Sequence, residues 1–162
     1  MGAGHGHVAQ PGLYVMSLAD RFVEAMEDAR DERRTEDLLI LAACALRHDP
    51  GCIEARLTFA EHSRDRETRH RHLTKAVETG EFLWTPVAER LGDDMTWWGF
   101  PGTRPYMRAV AALGHAYLAD GDETAARACF DRLLAMNPND NQGIRYLVQE
   151  LDVEATTPVS GL

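Results

Sequence analysis

The stretch MNPNDNQGIR, residues 136–145, concentrates amides and a carboxylate: Asn137, Asn139, Asn141 and Gln142 around Asp140. Such a cluster has the donors and acceptors to chelate a cation, steer a substrate or turn the chain. A calcium loop needs a glycine at its sharp bend and a bidentate glutamate at its end, but Gln142 and Val148 occupy those places. Pro138 cannot continue a preceding helix, and Asp140 lies just before an apolar stripe of Ile144, Leu147, Val148 and Leu151. The pattern therefore predicts a corner, with Asn137 ending one helix and Asp140 capping the next.

Other reactive side chains lack the company that catalysis requires. Ser17, Ser63 and Ser160 lie in no nucleophile elbow, and HExxH, GxxxxGK[ST] and CxxC are all missing. Cys44 falls in the apolar run LLILAACAL and Cys129 adjoins Phe130, so both read as inert core thiols. With Cys52 they make an odd, unpaired set, which fits a reducing, cytoplasmic setting. Asp93 and Asp94 read as cap or turn residues. His5 and His7 sit in a Gly-rich opening segment with no preceding strand, so neither a phosphate loop nor a functional metal site is expected there. The expectation is a protein without catalysis, cofactor or metal.

Net charge and hydropathy narrow the partners. The chain of 162 residues carries a net charge of −9 and a pI near 5.2, which disfavours nucleic acid. Hydrophobic residues at 44 % and charged residues at 27 % suit one globular domain. No apolar run is long enough to cross a bilayer, and no charged-then-apolar signal opens the chain. The one locally basic segment is HSRDRETRHRH, residues 62–72. Asp65 and Glu67 interrupt its arginines, and His70 and His72, two apart, point to different helix faces. A solvated helix start is the plain reading; contact with RNA or an acidic partner through Arg64–Arg71 is the other.

The elements that must position these side chains are helices. Leu18, Phe22, Ala25, Met26 and Ala29 mark one apolar face. TEDLLILAACALRHDP follows, with Thr35 as expected N-cap and Pro50 as stop. GCIEARLTFAEHS with RETRHRHLTKAVETG, and TRPYMRAVAALGHAYLADG with DETAARACFDRLLAMNP, give further pairs, and DNQGIRYLVQELD a last helix. Strand alternation is missing. Residues 81–102 read as an aromatic linker, in which Thr85–Pro86 starts a short helix that Gly92 ends. There Trp84, Trp97, Trp98 and Phe100 either clamp the linker onto the core or present an aromatic docking patch.

Hairpins of similar length invite a search for periodicity. Val110-x2-Leu113-Gly114-x2-Tyr117 is followed by Gly121, Ala126-x3-Phe130 and Pro138. This segment resembles the tetratricopeptide repeat, a 34-residue helix-turn-helix unit, here spanning 107–140. Val110 stands where that family often has tryptophan, and Leu133 where a small residue is usual. The spacing puts Val110, Leu113, Gly114 and Tyr117 on one face, lets Gly114 admit the second helix, and sets Ala126 and Phe130 opposite. Degenerate copies read as 19–50 and 52–80. TRPYMR at 103–108 with MNPNDNQGIRYL at 136–147 further resembles bacterial proteins related to the suppressor-of-tumorigenicity family.

The expected fold is thus an all-α superhelix of about three hairpins plus a C-terminal closing helix, one domain over 13–154 between flexible tails at 1–12 and 155–162. The resemblance implies an adaptor that holds a protein or peptide in a concave groove, with self-association as a homodimer the rival. Carried over from the family, the groove positions are Arg108, Ala111, His115 and Leu118, then Gln142, Arg145, Gln149 and Asp152, and in the first unit Asp20, Val23 and Glu27. Arg104 lies near the same surface. Arginine's fork of donors suits a carboxylate or phosphate, yet Arg108 and Arg145 could equally tie hairpins together.

Overall fold

The structure, a computed structural model, describes residues 17–156; both expected tails except residues 155 and 156, with His5 and His7, lie outside them. The described residues form seven α-helices and no strand: α1 Leu18–Asp31, α2 Thr35–His48, α3 Ile53–His62, α4 Arg66–Leu91, α5 Arg104–Ala119, α6 Glu123–Met136 and α7 Ile144–Thr156. Short connections fold α1 on α2, α3 on α4 and α5 on α6, and α7 closes against α6. Each hairpin also packs on the next through α2 with α3 and α4 with α5, and α3 touches α5 directly. No helix among the described residues is long and apolar enough to cross a membrane.

Local chemistry explains most helix ends. Ser17 and Asp20 form a reciprocal capping box on α1, and Asp65 and Asp122 accept from the first turns of α4 and α6. Thr35, expected as a cap, is instead the first residue of α2. Arg34 takes the cap position without a side-chain bond and ties its guanidinium to Glu32 (2.6 Å) and Asp37 (2.5 Å). At the opening motif, Asp140 adopts φ +52° and accepts from the backbone N–H of Ile144 (2.7 Å) and Arg145 (2.8 Å). The corner is made by one aspartate serving two orphan donors.

The linker expectation is corrected. Helix α4 does not stop near Gly80; it runs through Thr85 and Pro86 to Gly92, which has φ +54°. Proline removes one internal hydrogen bond, the one directed at Phe82, but Phe82 lies on the solvent side at 81 % exposure. Gly80 and Trp84 meanwhile face other parts of the fold, so packing carries the helix past a local breaker. Only 92–103 is a linker, built from three single 3-10 turns.

Two cores result. A small one joins Met26, Ala29, Leu38, Ala42 and Ala45 to Cys52 and Ala55 at the start of α3. The larger runs from Ile53 and Ala60 through Leu73, Tyr106, Met107, Val110 and Phe130 to Ile144 and Leu151. Because α3 is buried on two sides, it shows little of the one-sided pattern of a surface helix.

Candidate ligand-binding cleft

A cleft of about 660 Å3 opens between α3 and α5. Glu54, Leu57, Ala60 and Glu61 line it from α3; Arg108, Ala112, His115, Ala116 and Ala119 line it from α5. Spacings of three and four put each set on one helical face. Arg30 at the end of α1, with Arg69 and Leu73 on the early turns of α4, completes the walls. Alanines at 60, 112 and 116 keep the floor deep and apolar, so it can take a bulky hydrophobic side chain.

Charged groups form the rim. Arg108 donates to the Glu54 carboxylate across the mouth. Arg30 donates to the hydroxyl of fully buried Thr58 (3.0 Å) and stands 3.8 Å from Glu61. Arg69 gives one hydrogen bond to the Ser63 carbonyl (2.9 Å), and among the described residues no carboxylate pairs with it. Exposed His115 meets the Phe130 ring edge-on, with centroids 5.4 Å apart. The site therefore offers an apolar well beside a guanidinium that no carboxylate neutralises.

Of the groove residues named from the family, Arg108 and His115 line this cleft; the others do not. On α5 the lining stripe passes through Ala112 and Ala116 in place of Ala111 and Leu118, which pack against the main core. Arg104 lays its guanidinium over the Trp98 ring at 5.2 Å. Arg145 donates to the Pro138 carbonyl (2.8 Å), and Gln142 sits in the same corner. Gln149 is exposed on α7 beside Tyr146 and Glu150, and Asp152 accepts from Arg127. In the first unit, Asp20 is occupied by the cap, Val23 packs in the small core and Glu27 is exposed. The separation has a simple origin: α7 packs on α6, so its residues do not extend the wall that α5 makes.

The sequence reading missed Arg30, Glu54, Leu57 and Glu61, and singled out Arg69 only as part of the basic segment Arg64–Arg71. Glu54, Leu57 and Glu61 were visible as a stripe once α3 is taken as the first helix of a hairpin. Arg30 and Arg69 had no such signal, because a helix end reaching over a neighbour leaves no periodicity.

The three tryptophans pack inward. Trp84, Trp97 and Trp98 are half-buried against the main core, and Trp97 lies 5.9 Å from the Tyr106 ring. Fully buried Thr103 anchors the turn through its hydroxyl to the carbonyls of Trp97 and Phe100. The exposed large apolar residues of this region are Phe82, Leu83 and Phe100.

The arginines of the basic segment diverge. Arg66 and His70 both bind the Asp120 carboxylate (2.9 and 2.5 Å), Arg69 faces the cleft, and Arg71 lines a pocket formed with Arg56 and His72. Burial pushes the Asp120 carboxyl up, but the His70 hydrogen bond and Arg66 charge outweigh it and leave it below the usual range. Burial raises the Cys52 and Cys129 thiols. Among the described residues no cluster of His, Cys, Asp and Glu could hold a metal ion. No protein-family model matches the chain, and no curated protein matches it significantly.

Proposed function

We propose that this protein is a non-catalytic adaptor, built like a tetratricopeptide array, that holds a peptide segment of a protein partner in the cleft between α3 and α5. The carrying observation is the apolar well lined by Leu57, Ala60, Ala112 and Ala116 beside Arg69, a cation without a carboxylate partner among the described residues. The matching ligand is a hydrophobic side chain flanked by a carboxylate: the chain fills the well and the acid takes the guanidinium's remaining donors. Micromolar affinity needs about 8 kcal/mol, within reach of one buried anchor and a few charged hydrogen bonds. The raised Cys52 and Cys129 thiols support the non-catalytic part, since a protonated thiol is a poor nucleophile. A cytoplasmic setting belongs to the same proposal.

The test is a pull-down with wild type, Ala112→Trp, Arg69→Glu and the remote control Gln149→Glu. Ala112→Trp fills the well and Arg69→Glu reverses the rim, so both should lose a partner that wild type and Gln149→Glu retain. Identical partner sets from all four, with helical content unchanged by circular dichroism, would count decisively against the cleft.

A further inference from the structure

On the far side of the second hairpin, Arg56 on α3 and His72 on α4 line a second pocket together with Arg71, Lys75, Glu67 and Glu78. Two side-chain atoms among the described residues are buried without a hydrogen-bond partner, Arg56 Nε and His72 Nδ1, and both residues line this pocket. Buried polar groups are almost always satisfied, and an orphan donor calls for an acceptor that the protein itself does not supply. The surroundings hold both side chains in place. Arg56 is pinned by a bond from Nη2 to the Pro50 carbonyl (2.6 Å), and the His72 ring stacks on Phe59 with centroids 5.3 Å apart. Arg71 donates to the Thr68 hydroxyl (3.1 Å), while Lys75 pairs with Glu78 (3.0 Å).

We propose that this pocket binds a phosphoryl group, whose oxygens accept from Arg56 Nε and from His72 Nδ1 when that atom carries the proton, with Arg71 closing over the anion. Arginine and histidine donors supplied to one pocket by two helices suit a phosphate monoester better than a planar carboxylate, because the third oxygen is left for Arg71. Glu67 and Glu78 at the edge take hydroxyl or amide groups of whatever carries the phosphate. The local positive field agrees with this: burial, then Arg56, then Arg71 hold the His72 imidazole below its ordinary titration range. A bound anion reverses that field. His70, which also borders the pocket, is committed to Asp120.

The experiment follows the His72 ring resonances of the full chain by NMR while sodium phosphate replaces sodium chloride at constant ionic strength. A saturable shift of His72, with its titration midpoint moved upward by phosphate, is the expected result. Arg56→Gln should weaken binding about tenfold or more, and exposed Arg71→Gln, which cannot disturb the core, should weaken it as well. Ala112→Trp in the other cleft should leave it unchanged, which separates this site from the adaptor proposal. Glycerol phosphate and a phosphoserine peptide then identify the source: the tighter binder of the two names a small phosphorylated molecule or a modified partner. No saturable shift beyond chloride, or the same shift in Arg56→Gln and Arg71→Gln, overturns the proposal.

Discussion

Tyr106 fills the space beside Gly80: its Cδ2 stands 2.0 Å from the point a Cβ on Gly80 would occupy, and its Cγ 2.4 Å. Arg132 also holds the ring, donating to the Tyr106 hydroxyl and lying over the ring at 5.4 Å. The glycine thus brings α4 and α5 together at the centre of the larger core.

Gly80→Ala should consequently destabilise the protein although it improves helix propensity. The propensity gain is about 1 kcal/mol, whereas overpacking a filled core costs about 1–3 kcal/mol. With three Tyr106 atoms inside contact distance, the cost should win by about 1 kcal/mol or more. Urea unfolding measures it, and a midpoint equal to or above wild type would refute this packing.

Gly114 and Phe130 form a second such pair, with Phe130 Cε1 2.6 Å and Cδ1 3.0 Å from the Cβ position of Gly114. Phe130→Ala should cost about 3–5 kcal/mol, and Gly114→Ala about 1 kcal/mol once its gain in helix propensity is set against the overpacking. Combined, they should cost less than the sum by at least about 0.5 kcal/mol, because the missing ring vacates the space the new methyl needs. Strict additivity in the four-variant cycle would show that the two positions do not touch.

Stability should fall on mild acidification because of His72. Burial first, then repulsion by Arg56 and Arg71, lowers its folded pKa from the ordinary 6.5, so the unfolded chain binds that proton more readily. The contribution is complete above about pH 6.5 and is lost as pH falls from there through the folded value. Thermal melts in phosphate-free buffer should give a lower midpoint at pH 5.5 than at pH 7.5, and His72→Gln should narrow the difference. An unchanged difference in that variant would assign the effect to other groups.

Asp140→Ala should loosen α7 before anything else. It removes the acceptors of two N–H groups and leaves a β-carbon residue at φ +52° without a compensating bond. A lost cap costs about 1 kcal/mol, and the strained backbone adds to it. Hydrogen exchange should speed up at Ile144 and Arg145 while the α5–α6 core stays protected. Uniform protection across α7 would mean that the cap contributes little.

Helix identity was legible from residue 18 onward because apolar spacing, caps and breakers are local. Asp140 before Ile144, Gly121 at φ +77° between α5 and α6, and the Gly114–Phe130 spacing each carry their structural reason within a few positions. The end of α4 was not legible. Gly80 and Pro86 are breakers by local rules, and burial of Gly80 against Tyr106, twenty-six residues away, overrides them.

The same distinction governs function. Arg108 and His115 could be placed on one helix face from spacing, since a helix fixes the direction of its own side chains. Which faces meet is set by contacts between helices distant in the chain, and those bring Arg30 and Arg69 to the cleft while leaving Arg104, Gln142, Arg145 and Gln149 elsewhere. Local periodicity determines what each helix offers; the packing of hairpins, a sum of long-range contacts with no sequence period, decides which offers converge.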